Sequence, residues 1–512
     1  MVEAQVIVIG AGPTGLMAAC QLARFGIKVI VIDKKSGINL QSRALLVTAR
    51  SLEVYQQMGL SGQVINGGSP VGHISVFFNN QEKIKLKTNL YQDDVSAFPC
   101  FHIFEQSRNE ELLLAHFEAL GGRVMWDTEM QDLVQGATTV TVCAKQLTRD
   151  IELVIIGRYL IGCDGARSCA RHLLKLAFSG GTYEKMFYVI DAKINTSMPA
   201  ETVIAAPGKS DFVAFFPMRG SNIYRILGSI NHKLSGGDCY DEQELRKWVC
   251  RNSPFPIELG EINWSSVYQL HHRSVKSFRV DKCFLAGDAA HIHSPAGGQG
   301  MNAGLQDAYN LSWKLAAVLN GYTGPGILES YNHERLPFAR WLIKFTDRLF
   351  NLMMSSQPVI AFFRSHILPF IITKLAGGRY REKGFYKSLS QIWLHYRKSA
   401  LSESYTTQPL TFRAGDRCPY VSYTYQERPI DLYSLLTSAN FHLVIISDEQ
   451  EFPAIPERLK PLLKIVNVPL CQDWHRLGVK KKLYLLIRPD NYIAMLSDIF
   501  DPEVLKRYFD KF

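Results

Sequence analysis

No stretch of this chain is long and apolar enough to be read as a membrane span. In the apolar region 333–376 the longest run without charge, residues 349–363, holds Asn351, Gln357 and Pro358 within 15 residues, whereas a spanning helix needs about 20 apolar residues. The run reads instead as part of a buried or interface helix pair over 333–376, with peripheral membrane contact as the lesser alternative. None of the ten cysteines forms a Cys-x-x-Cys pair, which argues against structural zinc and dithiol redox chemistry and for a reduced, cytoplasmic setting. Residue Glu3 precedes an apolar run that must itself be the first strand, so a cleavable leader is not expected. Long blocks of one charge are also missing. The net charge is +10, yet the densest basic run is only Lys480-Lys481-Lys482, a solvated face rather than a nucleic-acid module. The charge favours acidic small molecules or loose contact with anionic surfaces. Repeats and low-complexity tracts are absent as well.

What is present is 512 residues, 47% hydrophobic and 20% charged, close to globular norms and enough for about three domains. The pattern opens with an apolar strand over 5–9, a glycine-rich turn, a helix over about 14–25 closed by Gly26, and a second strand over 28–33. That strand–turn–helix–strand unit begins a doubly wound sheet. Strand-like runs punctuated by Gly, Asn, Ser and Pro over about 73–100 and 180–280 predict an inserted mixed β-sheet. The α/β pattern resumes at 282–286, with a long helix over 300–319. A separate small α/β domain is expected from about 405 to the last residue. The fold class is therefore α/β, with a Rossmann-type dinucleotide-binding domain (1–72, 101–180 and 282–400), an inserted sheet domain (73–100 and 181–281) and a closing α/β domain (405–512).

Three motifs carry chemistry. In Gly10-Ala11-Gly12-Pro13-Thr14-Gly15, Gly10 permits a tight turn, Gly12 lets backbone approach a pyrophosphate, and Gly15 lets helix and strand pack closely. Asp33, eighteen residues after Gly15, can accept hydrogen bonds from a ribose. Alone, the motif does not separate FAD from NAD. The second motif, Gly162-Cys163-Asp164-Gly165-Ala166-Arg167-Ser168, can be read as a simple turn at the end of a strand. The third runs from Gly287-Asp288 through His291 and His293 to Pro295, Gly297, Gly298, Gly300, Met301 and Asn302. It delivers a carboxylate to the carboxyl edge of the sheet and opens a helix whose N-terminus favours an anion. No acidic or Cys partner stands at ligand spacing from the two histidines, so no metal is expected.

In this order and at these separations, GAGPTG, CDGARS and GDAAHIHSPAGGQGMNAGLQDAYNLSWKL resemble the group A FAD-dependent aromatic monooxygenases over nearly the whole chain. The closing segment, with RAGDRCPY and LIRPDNYIAML, resembles the thioredoxin-like C-terminal domain of the phenol-hydroxylase branch. Without Cys-x-x-Cys that domain is expected to be structural. The resemblance implies that Gly10, Gly12 and Gly15 hold the FAD pyrophosphate, with Asp33 on the adenosine ribose. It places Arg43 and Gln106 on the flavin nucleotide, and Gly287 and Asp288 at the ribityl chain. Asp164, Gly165 and Arg167 would serve FAD and the co-substrate NADPH or NADH. Pro295, Gly297, Gly298, Gly300, Met301 and Asn302 would face the isoalloxazine. Of these, Pro295, Gly298 and Arg43 are the candidates nearest the chemistry. Ala170, Lys175 and Ser294-Pro295 depart from the family's preferences without removing a needed group.

The implied reaction uses NAD(P)H and O₂ to hydroxylate a small phenolic or polycyclic aromatic substrate through a flavin C4a-hydroperoxide. The base that would deprotonate a phenol is not identified. His73, His102 and Tyr224 are nearest in sequence to the inserted sheet, but each reads as structural. Phe77, Phe78, Phe212, Phe215 and Phe216 line either a pocket or a core. The alternative is a related flavoprotein reductase or oxidase that does not hydroxylate. The halogenase pattern W-x-W-x-I-P and the Baeyer–Villiger pattern F-x-G-x-x-x-H are both missing. A non-enzymatic module is disfavoured by retention of Asp33, Asp164 and Asp288 with every motif glycine. The apolar helices of 333–376 are compatible with a homodimer.

Overall fold

The computed structural model describes residues 1–39, 44–88, 95–196, 198–199, 201–208, 211–220, 222–230, 241–295, 297–355, 357–371, 379–425 and 428–511. Four short runs, VIVI at Val6–Ile9, VIVI at Val29–Ile32, YLIG at Tyr159–Gly162 and CFL at Cys283–Leu285, are apolar almost throughout and nearly fully buried. Runs of that kind suit a parallel sheet covered on both faces. They form the centre of a six-stranded sheet, in the order Arg279–Val280, Cys283–Leu285, Tyr159–Gly162, Val6–Ile9, Val29–Ile32, Val124–Met125. Only the first pair is antiparallel. Helices Pro13–Arg24 and Gly300–Leu319 pack together over it. At their crossing Gly304 has no room for a side chain, because a Cβ would run into Thr14 Oγ1.

A second sheet of eight strands is almost wholly antiparallel. Its order is His291–Ile292, Glu258–Ser274, Ser179–Asn195, Ile223–Ile230, Phe212–Pro217, Thr202–Pro207, His73–Phe78, Gln81–Lys87. Alternation along its strands divides the side chains between two faces. On one, Ile190, Phe215 and Ile226 pack with Leu245 and Val249 of helix Glu242–Asn252. On the other, Phe187 and Leu270 meet Phe350 and Met354 from the end of helix Glu329–Met354. The five phenylalanines of the sequence reading therefore do not form one cluster. Phe77 and Phe215 pack in the helix-covered core, Phe212 packs beside Phe350, and Phe216 packs against the core of the six-stranded sheet.

A smaller sheet, Val2–Glu3, Ile151–Gly157, Val140–Gln146, Thr128–Gln135, flanks the first. The closing segment forms a mixed sheet ordered Glu403–Tyr405, Ile493–Ser497, Leu483–Ile487, Phe441–Ile446, Leu463–Val468. The turn between its strands Leu483–Ile487 and Ile493–Ser497 carries Asn491 at φ 60°. No described helix is long and apolar enough to cross a membrane.

Candidate cofactor and substrate site

Three strands of the first sheet end side by side, and each runs directly into one motif. Gly10 N–H donates to the Ile32 carbonyl (2.8 Å), Cys163 N–H to that of Ile9 (2.7 Å) and Ala286 N–H to that of Gly162 (3.0 Å). The sheet ladder thus continues one residue past each strand and aligns the three loops at its carboxyl edge, where ligands of open α/β sheets bind.

The glycines of the first loop differ in the space around them. A Cβ on Gly10, at φ +98°, would fall 2.6 Å from the Cys163 carbonyl oxygen, and one on Gly15 would run into the carbonyl of Gly10. Those two glycines close the fold. Around Gly12 nothing lies within 4 Å of a built Cβ. Its backbone faces open space at the N-terminus of helix Pro13–Arg24, which has no side-chain cap and no acidic residue in its first turn. A bare helix start with free N–H groups fits a pyrophosphate. Asp33 is buried, with Oδ2 accepting from Ala11 N–H (2.7 Å) and Oδ1 from Lys35 N–H (2.9 Å). Those bonds fix the carboxylate beside the glycine turn and leave each oxygen a further lone pair.

In the second motif, Asp164 accepts from the Ser168 hydroxyl and from Ala170 N–H (3.0 Å). Burial raises its carboxyl above the ordinary range, against the lowering effect of those donors. Gly165 sits at φ +78°, and Arg167 is exposed. Arg171, which sequence reasoning passed over, joins this motif to the third. Its Nη1 donates to the Ala289 carbonyl (3.0 Å) and its Nη2 to that of Ala166 (2.8 Å).

The third motif is held from behind by a buried carboxylate, also unanticipated. Asp307 accepts from Gly287 N–H (3.1 Å), His291 Nε2 (2.7 Å) and Arg335 Nε (2.6 Å). Burial pushes its carboxyl up, but Arg335 and His291 outweigh burial and hold it below its usual range. The effect is to leave Asp288 exposed on a short turn over Gly287–Ala289, pointing away from its own core. An acid within the otherwise uncharged run GLQDAYNL was the available signal, since a buried charge needs a partner.

Beyond it, Pro295 accepts from Gly298 N–H (2.9 Å), and Gly297 and Gly298 take φ +83° and +64°. Gln299 clamps this turn, donating to the carbonyls of Gly297 (2.8 Å) and Leu389 (2.9 Å) and accepting from Gln391 (2.5 Å). The Asn302 side chain is wholly used within the protein. It accepts from Thr48 N–H (3.0 Å) and Ser51 Oγ (2.7 Å) and donates to the carbonyls of Leu46 (2.8 Å) and Gly298 (2.9 Å). The first N–H groups of helix Gly300–Leu319, from Gly300 to Asn302, have no intrahelical acceptor and remain for a ligand. Burial drives the His293 imidazole down to about 4, so it is neutral near pH 7. Leu46 approaches Gly298 and Leu389 approaches Gly297. These two, Met301, Ile74 and Phe216 of the eight-stranded sheet, and Met218 just past its strand Phe212–Pro217 are each half-buried and packed on the central core.

Gln106 opens helix Gln106–Ala119; its N–H donates to the Ala44 carbonyl (3.0 Å) and its side chain to Glu110 (2.9 Å). Arg43 lies outside the described residues. His102 is buried in strand Phe101–Ile103, where burial lowers its imidazole, and burial raises the Tyr224 phenol.

Residues 3–346 match the family model described as FAD binding domain, and residues 411–511 match that of the aromatic-ring hydroxylase C-terminal domain. The chain is 30% identical to 6-methylpretetramide 4-monooxygenase of Streptomyces rimosus, over 96% of this chain and 90% of that protein. It is 27% identical to pentachlorophenol 4-monooxygenase of Sphingobium chlorophenolicum, over 99% and 96% of the two chains. Among solved structures it is similar to the flavin-dependent monooxygenase PieE (TM-score 0.82, 20% identity, 99% of each chain), a likeness of fold. It is also similar to the anhydrotetracycline hydroxylase OxyS of Streptomyces rimosus (TM-score 0.77, 25% identity, 97% and 96% of the two chains).

Proposed function

From the premise that this chain belongs to the FAD-binding aromatic-ring hydroxylases and is a flavin-dependent monooxygenase using FAD and NAD(P)H, we propose that its substrate is a fused polycyclic phenol rather than a single free ring. The observation that carries this reading is the extended apolar set of Leu46, Ile74, Phe216, Met218, Met301 and Leu389. These side chains come from five parts of the chain and each stays half-buried against the central core, with Leu46 and Leu389 against Gly298 and Gly297. Relatives named for tetracyclic and rifampicin substrates support it.

When bound, FAD supplies hydride acceptance from NAD(P)H and activation of O₂. The residues present fit it. Gly12 and the uncapped helix start would receive the pyrophosphate, with Gly10 and Gly15 keeping the turn closed. Asp33 would bind the adenosine ribose, and Gly287 and Asp288 the ribityl chain. Arg43 and Gln106 would contact the nucleotide, while Asp164, Gly165 and Arg167 would meet the nicotinamide co-substrate. Pro295, Gly297, Gly298, Gly300, Met301 and the Asn302 backbone would border the flavin ring. The apolar set would orient the aromatic ring and exclude water. Asp307, through Gly287, and Asn302, through Thr48 and Gly298, position those loops. The described cysteines are all free thiols, which supports a reduced cytoplasmic setting.

The test is NAD(P)H oxidation by FAD-loaded protein with phenol, naphthols and three- and four-ring phenolics. A fused compound is expected to accelerate oxidation about tenfold or more over phenol, a difference of roughly 1.4 kcal/mol in barrier. Phenol accelerating oxidation as much as any fused compound would overturn the substrate class and leave the family assignment standing.

A further inference from the structure

A helical segment over 358–371 presents several large apolar residues to solvent. Surface helices place apolar residues inward and charged ones outward. Here Val359 is 80% exposed, Phe362 58% and Ile367 39%, and Phe370 beyond them 58%. These positions share one side of the segment, whose middle turn, Phe363–Ile367, is a π-helix. The opposite side carries Arg364, only 2% exposed. Its Nη1 donates to the carbonyls of Leu352 (3.1 Å), Met353 (2.7 Å) and Ser355 (3.1 Å), and its Nη2 to that of Gly208 (2.8 Å). Those bonds cap the end of helix Glu329–Met354 and pin the segment to the eight-stranded sheet. The outward apolar face is therefore held in place by the fold.

The chemistry of the flanks says what covers it. From Arg348 to Arg381 the sequence contains no Asp or Glu, while besides the buried, internally bonded Arg364 it holds Arg348, Lys374, Arg379 and Arg381. Arg348 is exposed on the last turns of the preceding helix. A second copy of the same face would bring like charges together, which disfavours self-association. An apolar strip in a stretch of sequence with basic and no acidic residues matches an anionic lipid surface, with the helix lying in the interface plane and Arg348 among the headgroup phosphates. We propose that the Val359–Phe362–Ile367 face docks this protein on anionic phospholipid bilayers. The docking does not depend on the substrate reading. Helix Glu329–Met354 ends in Phe350 and Met354 against the eight-stranded sheet, so the membrane would lie beside that sheet.

The experiment is co-sedimentation of the full-length, FAD-loaded protein with vesicles of phosphatidylcholine alone and of phosphatidylcholine with phosphatidylglycerol. Binding is expected to the second and to be about tenfold weaker on the first, and added salt should release it. The double variant Val359→Ser/Phe362→Ser should lose binding about tenfold while keeping its FAD content and its melting temperature. Phe362→Trp, which keeps the apolar face, should retain binding. No binding to either vesicle, equal binding by the serine variant, or binding indifferent to salt and lipid charge would each overturn the proposal. A concentration-dependent dimer in sedimentation velocity that Phe362→Ser dissolves would give the face to a second copy and overturn it too.

Discussion

Gly12→Asp is expected to yield an apoprotein at least as stable as the parent that holds FAD about 100-fold less tightly, roughly 2.7 kcal/mol of binding free energy. The two effects run in opposite directions for physical reasons. Gly12 is the N-cap of helix Pro13–Arg24, at φ −80° and ψ −177°, a conformation open to any residue. No atom lies within 4 Å of the added Cβ. Aspartate is among the best N-cap residues, and a carboxylate there meets the positive end of the helix, worth about 0.3–1 kcal/mol. The same carboxylate would occupy the space a pyrophosphate needs and repel it. Melting of the apoprotein and FAD titration by flavin fluorescence separate the two. Gly15→Ala makes the contrast, because its Cβ would run into Gly10 and should damage fold and binding together. Unchanged FAD affinity in Gly12→Asp would show that the phosphates lie elsewhere.

Glu334→Ala should lower the unfolding free energy by about 3–5 kcal/mol, the usual cost of stranding buried charge. Glu334 accepts from both Nη atoms of Arg488 (2.8 and 2.9 Å), from Lys314 Nζ (2.8 Å), from Asn310 (2.7 Å) and from Ser399 (2.7 Å). All three charged groups are almost fully buried. Burial lowers the Lys314 amine to about 8 even with Glu334 beside it. The network continues through Asp490, whose carbonyl accepts from Arg50 (2.6 Å), to Glu53, which accepts from Arg50 (2.9 Å) and Arg417 (2.8 Å). It thereby ties the Pro489–Asn491 turn of the closing domain to helices Ala49–Gln57 and Gly300–Leu319. Removing Asp510 from its pair with Arg458, 42% and 54% exposed, should cost no more than about 1 kcal/mol. Urea midpoints of the two variants test the difference. Equal midpoints would mean the buried network does not hold the closing domain.

Much of this architecture is legible in the residues alone. The apolar runs at Val6–Ile9, Val29–Ile32 and Phe441–Ile446 form strands because nothing polar interrupts them, and helix Gly300–Leu319 begins and ends where its pattern says. In the glycine loop the steric need at Gly15 is local, a close approach to Gly10, whereas that at Gly10 is set by Cys163, far along the chain. Contacts between distant segments were not legible. Asp307 reaches Gly287 and Arg335 across 20 and 28 residues, and Asn302 turns back to Thr48 across 254. The phenylalanines of the eight-stranded sheet illustrate a different limit. Strand alternation predicts two faces, but not which face a helix will cover, so Phe215 and Phe216 went to different cores.

The most direct test of the central claim is oxygen transfer under ¹⁸O₂. FAD-loaded protein, NAD(P)H and the most accelerating phenolic compound would be combined, and product and NAD(P)H measured together. The account predicts a hydroxylated product carrying one labelled oxygen from O₂, formed in step with NAD(P)H consumption. Consumption that yields only hydrogen peroxide with every aromatic tried, or label arriving from water, would contradict it.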